Sequence, residues 1–300
     1  MQEAPTIFII CGPTAIGKTA FAIELAQALG TEIISADSRQ CYQELGIAVA
    51  KPSAKELAMV PHHFINSHSI HDHVNAGVFE QYALQKADEL FQQHRQIVMV
   101  GGTGLYIKAF TEGMDEMPSI APAIREQVVK DFEQKGLAWL QQQIQLLDPN
   151  FWLQSEQQNP QRLMRALEFK LSTGDSILNY RKAEKKQRPF KIIKIGLELP
   201  REVLNQHINQ RVDMMVAAGL IQEAKSLVPF QYNNALQTVG YQELFAHFNG
   251  EISEAIAIEQ IKQHTRQYAK RQMTWFKKAA SITWMDAAKL SVEQVLELES

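Results

Sequence analysis

Gly12-Pro-Thr-Ala-Ile-Gly17-Lys18-Thr19 has the residue types and spacing of a phosphate-binding loop. Its glycines let backbone N–H groups turn toward phosphate oxygens, Lys18 brings a positive charge, and the Thr19 hydroxyl suits a magnesium ion. All eight positions (Gly12, Pro13, Thr14, Ala15, Ile16, Gly17, Lys18 and Thr19) are therefore candidates for holding a diphosphate or a nucleotide such as ATP. Asp37 follows the apolar run Glu32-Ile-Ile-Ser-Ala36. It is either a helix N-cap or a general base or magnesium partner facing the phosphate loop. Ile97-Val-Met-Val100 runs into Gly101-Gly-Thr103-Gly104, where a hydrolytic enzyme with this loop usually carries an aspartate for its metal. The missing acid disfavours a motor or switch. It suits a transferase that brings the Thr103 hydroxyl beside a second substrate.

These groups meet only if the right elements carry them. Thr6–Cys11 reads as a strand feeding the loop, and Ala20–Leu29 as the helix that the loop opens, whose N-terminal dipole end favours an anion. Glu32–Ala36 and Gln96–Val100 read as further strands, with Val78–His94 helical between them. Strand alternating with helix predicts parallel pairing, as in an α/β core with the architecture of P-loop NTPases. The carboxyl ends of the strands then share one edge, where the phosphate loop, Asp37 and Thr103 converge. Beyond the breaker-rich Met117–Pro122, three helical patterns follow (Ala123–Lys135, Leu137–Leu146, Gln161–Leu171) without a convincing strand. Phe190–Leu199 restores a strand, and the remainder reads as helix. The expected organisation is a core of residues 1–114 and 189–300 with an all-helical insertion at 115–188.

The chain has 300 residues, 45% of them hydrophobic, enough for a sizeable core. No apolar run approaches a membrane span and no signal pattern opens the chain, so a cytoplasmic protein without a membrane partner is expected. Cys11 and Cys41 are the only cysteines, too few for a disulfide framework or cysteine zinc site. His62, His63, His68, His71 and His73 crowd one segment, but breakers flank them and no cysteine accompanies them. They read as structure or substrate shaping rather than metal ligands.

The net charge of −3 gives no global nucleic-acid signal, yet two tracts are locally basic. Arg181–Lys194 holds seven cations against one anion, and Ile261–Lys278 carries Lys262, Arg266, Lys270, Arg271, Lys277 and Lys278 without an acid. Lys262, Arg266 and Lys270 recur every four residues, as one stripe on a helix. Two such tracts predict a polyanion longer than a nucleotide, held through its phosphates. Arg162 and Arg165 extend that surface, and Arg211 is either a surface arginine or a clamp on charge held in the phosphate loop.

Along nearly its whole length the chain resembles the tRNA dimethylallyltransferases. The resemblance rests on GPTAIGKT (12–19), ISADSRQCY (34–42), PHHFIN (61–66), GGTGLYIKAF (101–110), NPQRLMRALEF (159–169), RVDMMVAAGLIQE (211–223), TVGYQEL (238–244) and TRQYAKRQMTWFKK (265–278), in the family's order. It implies transfer of a dimethylallyl group from dimethylallyl diphosphate to N6 of the adenosine 3′ of the anticodon, with Mg²⁺ as cofactor and Thr19 toward the metal. It implies Asp37, Thr103 and Arg211 as the catalytic set, with Thr103 hydrogen-bonding the amine. It also implies contacts to the anticodon stem-loop from Asp37, Ser38, Arg39, Gln40, Thr103, Arg125, Gln161, Arg162, Leu163, Met164 and Arg165. Gln237, Gly240, Tyr241 and Gln242 would join them, as would the basic tract at Lys270, Arg271, Lys277 and Lys278. A monomer is expected. The chain departs from the family at Asn66, where aspartate is usual, and at Glu44–Lys51, where a Met-Asp-Ile-Gly-Thr-Ala-Lys-like stretch is usual. Rival readings are a small-molecule kinase, which leaves the basic tracts unexplained, and a non-catalytic RNA-binding switch.

Overall fold

The computed structural model describes residues 4–182, 184–279 and 281–299. Ala183, inside the first basic tract, lies outside the described residues. The chain separates into two compact units, Met1–Glu112 with Lys186–Ser300, and Gly113–Lys185.

In the first unit the chain runs β1 (Thr6–Cys11), α1 (Lys18–Leu29), β2 (Ile33–Ser35), α2 (Ala54–Met59), β3 (His62–His63), α3 (Ala76–Phe91), β4 (Gln96–Gly101) and α4 (Gly104–Glu112). The second unit supplies α5 (Pro122–Leu147), α6 (Pro149–Gln154) and α7 (Pro160–Thr173). The first unit resumes with β5 (Lys191–Glu198), α8 (Arg201–Ala217), α9 (Leu220–Ser226), α10 (Tyr241–Phe248), α11 (Glu254–Phe276), β6 (Ile282–Asp286) and α12 (Val292–Leu296). Among the described residues six strands form one parallel sheet in the order β3-β2-β4-β1-β5-β6.

Burial explains the order. Every residue of β1 is buried, and β4 is buried from Ile97 onward, as central strands covered on both faces must be. On one face Phe8, Ile10, Val98 and Ile195 pack with Phe21 and Leu25 of α1 and with Ile208 of α8. Elsewhere in the unit, Phe79 of α3 stacks on Tyr106 of α4 at 4.5 Å between ring centres, and Phe64 meets both edge-on. Each such buried aromatic or aliphatic side chain contributes about 1.5–3 kcal/mol relative to exposure.

Two strands depart from the sequence reading. Residues 62–63 pair with β2, although Pro61 and Asn66 suggest loop. Ile282–Asp286 pairs with β5, although the C-terminal region reads as helix. Both are edge strands, β3 only two residues long and β6 half-exposed, so neither carries the apolar run of a central strand.

The second unit has its own core of Val128, Leu140, Ile144, Phe151, Leu163, Leu167 and Phe169. Its first helical span is broken at Gly136 (φ 74°, ψ −171°), between the two helical patterns read from sequence. Asp148 starts α6 by accepting from the Phe151 N–H at 3.1 Å, a short helix the sequence reading lacks.

Candidate active site

β1 ends at Cys11, and the chain turns through Gly12 (φ 144°), Ala15 (φ 64°) and Gly17 (φ 98°) before α1 begins at Lys18. These left-handed residues curl the backbone into a nest, which concentrates N–H groups on one concavity. No side chain caps α1, so its first N–H groups keep their capacity for an anion. The Lys18 ammonium donates to the Pro13 carbonyl at 2.7 Å, and Arg211 of α8 donates to Thr14 Oγ1 at 3.3 Å. Burial first, and then the nearby Arg211, bring the Lys18 pKa down from 10.5 to about 8, against an opposite pull from Asp37. Burial also lowers Arg211, which Glu56 and Asp37 oppose. Arginine remains charged through such shifts, so two cations are held together beside an uncapped helix end. That arrangement costs free energy when empty and favours a multiply charged anion.

Asp37 leaves the end of β2 and caps a turn, not a helix. Its Oδ1 accepts from the Arg39 N–H at 2.8 Å and the Gln40 N–H at 3.2 Å. Oδ2 has no intramolecular hydrogen bond among the described residues and is the oxygen able to take a proton. Thr103, beyond β4, accepts from the Ser38 N–H at 3.1 Å and donates its own N–H to the Ala36 carbonyl at 3.3 Å. Tyr268 of α11 lines the same cavity as Asp37, and burial, then Asp37, push it well above the usual phenol range.

Thr14, Lys18, Thr19, Asp37 and Arg211 all line one cavity of ≈ 390 Å³. Ile208, Val212, Met215, Leu220 and Ile261 supply apolar surface to the same cavity, while Gln237, Gln242 and Arg271 add polar lining. A volume of this size suits a small ligand with a charged end and an apolar end. Among the described residues no three His, Cys, Asp or Glu side chains are grouped to hold a metal.

The sequence profile described as IPP transferase matches residues 40–279. The chain belongs to the IPP transferase family. A tRNA dimethylallyltransferase of Christiangramia forsetii is 48% identical over 277 residues, 92% of each chain. One from Flavobacterium psychrophilum is 44% identical over 97% of each chain. Among solved structures, the full-length tRNA isopentenylpyrophosphate transferase of Bacillus halodurans superposes with a TM-score of 0.71 at 32% identity, covering 98% of this chain and 94% of that one. A eukaryotic dimethylallyltransferase shares the fold, with a TM-score of 0.74 at 24% identity over 95% of this chain and 74% of that one.

In this IPP transferase the residues expected to meet RNA fall into distinct environments. Arg39 donates to the carbonyls of Asn234 (2.8 Å) and Gln237 (3.3 Å), and so holds the 234–237 loop. Gln40 donates to the carbonyls of Val49 and Ala50, and Gln242 to Gln237 Oε1. Tyr241 is fully buried, its hydroxyl donating to Glu223 Oε1 at 2.7 Å, so it presents no side chain to a ligand. Gly240 is the N-cap of α10, and its N–H donates to Glu243. Lys270, Lys277 and Lys278 are exposed, Lys277 pairing with Glu198 at 2.6 Å over the Trp284 ring. In the helical unit Arg125, Gln161, Arg162 and Arg165 are exposed, Arg162 pairing with Glu156 and Arg165 with Glu168. Leu163 and Met164 face the core of that unit and present no side chain outward.

The two basic tracts are less free than their charge count implies. The Arg188 side chain is only 9% exposed, donating to the carbonyls of Phe110 and Ala109 and pairing with Glu80 at 2.8 Å. Lys262 pairs with Asp213 and Glu259, and Arg266 donates to Asn209, so two members of the expected stripe fasten α11 to α8. Of the histidines, His62 bonds the Val60 carbonyl, His63 pairs with Glu32, and His71 lies edge-on to Phe230.

Three residues of the site escaped the sequence reading. Glu223 accepts from the N–H groups of Ile47 and Ala48 and fixes the loop that carries Ala48–Ala50 to the cavity. Tyr268 lines the cavity, and Gln272 binds both the phosphate loop and Gly102. No local pattern marks them, because their partners are distant in sequence.

Proposed function

We propose that this protein transfers a dimethylallyl group from dimethylallyl diphosphate to N6 of the adenosine 3′ of the tRNA anticodon, releasing diphosphate. The observation that carries the reading is one cavity bordered by a cationic anion cradle, an oriented carboxylate with one uncommitted oxygen, and apolar surface. An exocyclic adenine amine is a weak nucleophile because its lone pair is delocalised into the ring. Its nitrogen attacks the allyl carbon as the carbon–oxygen bond to diphosphate breaks, and its proton passes to Asp37 Oδ2. Such base assistance contributes about 10²–10⁴-fold. Thr103 accepts or donates beside the same amine. Charge gathering on the departing diphosphate is met by the loop N–H groups, Lys18 and Arg211, where fixed dipoles act most strongly.

The Thr19 hydroxyl, at the start of α1 in the phosphate loop, is the protein group that would hold Mg²⁺, an ion suited to one protein oxygen beside substrate phosphates. When bound, it neutralises leaving-group charge. The β4 end carries Gly101-Gly-Thr-Gly104 rather than an acid, so the phosphate loop here serves a leaving group and needs no nucleotide cleavage. A base in a folded anticodon loop must unstack to reach the cavity, at a cost of a few kcal/mol offset by loop contacts. Exposed Arg125, Arg162, Arg165, Lys270, Arg271 and Lys278 are the groups to bind that loop's phosphates. We place the reaction in the cytoplasm, carried out by a monomer.

The test is a transfer assay with unmodified tRNA, Mg²⁺ and radiolabelled dimethylallyl diphosphate, run beside ATP labelled on its terminal phosphate. Prenyl label reaching tRNA without ATP is the expected result. Phosphate leaving ATP with no prenyl transfer would establish a kinase instead.

A further inference from the structure

One side chain joins the phosphate loop to the loop that carries Thr103. Gln272, on α11, is only 6% exposed. Its Oε1 accepts from the Thr14 N–H at 2.8 Å, and its Nε2 donates to the Gly102 carbonyl at 2.9 Å. The two partners need an acceptor and a donor at once, which a carboxamide supplies. A carboxylate would serve Thr14 but turn a negative oxygen on the Gly102 carbonyl. A thioether of similar length would serve neither and leave two buried backbone groups unpaired.

The acceptor loop is shaped around this contact. A Cβ on Gly102 would lie 2.3 Å from Gln272 Nε2, and one on Gly104 would lie 2.1 Å from the Trp275 indole. Gln272 and Trp275, three residues apart, thus bear on the loop from one face of α11. A continuous path results. Arg211 bonds Thr14, whose N–H bonds Gln272, which holds Gly102; the adjoining Thr103 accepts from Ser38, next to Asp37. β1 and β4 are in register up to Cys11 opposite Gly101, after which their ladder ends. Gln272 spans the two chains just beyond that point.

We infer that Gln272 is a positioning residue for the transfer. It fixes the separation between the loop that holds the diphosphate and the loop that orients the amine, so that allyl carbon and nitrogen meet at reacting distance. The inference rests on the transferase reading above. Reacting atoms need to be about 3–3.5 Å apart, and a misplacement of about 1 Å costs about 100-fold in rate.

The experiment compares wild type, Gln272→Glu and Gln272→Met with saturating dimethylallyl diphosphate and unmodified tRNA. It reads the single-turnover rate, the KM for each substrate, pyrophosphate binding by calorimetry and the melting temperature. Both variants should transfer about 100-fold more slowly, with each KM within about threefold of wild type. Gln272→Glu, which keeps an acceptor for Thr14, should also keep its pyrophosphate affinity. A merely structural role would lower the melting temperature and leave the saturated rate of folded protein intact. A saturated rate within about threefold of wild type in either variant would overturn the inference. Should Gln272→Met not fold, Gly102→Ala displaces the same amide. Its rate loss and that of Gln272→Glu should then be non-additive in the double variant, and additive losses would overturn the inference. Absence of transfer by wild type would be a different failure, of the transferase reading itself and of this inference with it.

Discussion

Pyrophosphate should bind this protein less well as the pH rises above about 8, because the Lys18 ammonium loses its proton there in the empty cavity. Burial and Arg211 disfavour the charged form, whereas a bound diphosphate sets several negative charges against it and restores it. Below about pH 8 Lys18 is charged in both states, and it makes no contribution to the pH dependence. Between about 8 and 10.5 it is charged only in the complex, so binding takes up a proton and affinity falls about tenfold per pH unit. At pH about 9 roughly one free molecule in eleven carries the charge, which raises the Kd about tenfold, or about 1.4 kcal/mol. Folding has the opposite sign. The unfolded chain keeps this lysine protonated up to 10.5, so Lys18 penalises the empty fold fully below about pH 8, by at most about 3 kcal/mol, and the penalty fades as the pH rises toward 10.5. The assay is calorimetric titration of wild type and Lys18→Met with pyrophosphate and Mg²⁺ at pH about 7 and about 9. The ligand's own titration cancels in the ratio of the two proteins. At the higher pH, buffers of different ionisation enthalpy should reveal nearly one extra proton taken up by wild type. An identical pH dependence in both proteins would refute the reasoning.

Asp37→Asn should slow single-turnover transfer about 10²–10⁴-fold while leaving tRNA affinity unchanged, since the turn it caps can still accept through the amide oxygen. An unaltered rate would remove Asp37 as the base. Arg188→Met leaves Glu80 and two carbonyls without their buried cation, and should lower stability by about 3–5 kcal/mol in denaturant titration. A shift below about 1 kcal/mol would mean that the pair is solvated. Tyr241→Phe removes one hydrogen bond to Glu223 and should cost about 1 kcal/mol. If the 46–50 loop depends on that carboxylate, amide exchange of Ile47 and Ala48 should quicken in the same variant.

The central strands were legible because each is a short, nearly continuous apolar run, and the phosphate loop because its chemistry is local. β3 and β6 were not. A two-residue strand has no periodicity, and Ile282-Thr-Trp-Met-Asp286 lies at an edge where none of its residues is fully buried. Charge was legible as composition and misleading as surface. Arg188 is paired with Glu80, which lies 108 residues earlier in the chain, and nothing in its own neighbourhood announces that. Gln272 is the extreme case, an uncharged residue in a basic helix whose two partners stand 258 and 170 positions away. Of the alternatives left open for Asp37, the helix N-cap is excluded by backbone geometry, since turns rather than a helix follow β2.

The chain leaves the first unit at Glu112 and re-enters at Lys186, and those two residues share a backbone hydrogen bond of 2.8 Å. Arg188, just beyond, grips the carbonyls of Ala109 and Phe110 just before. The neck is thus stitched shut by the sheet-bearing unit alone. In polymer terms the intervening residues are a closed loop whose ends are already fixed, and the entropy of closing such a loop grows only logarithmically with its length. Lengthening, shortening or exchanging that segment therefore places little thermodynamic demand on the sheet. On the function proposed above, a family built this way can retune its grip on RNA separately from the cavity of the phosphate loop.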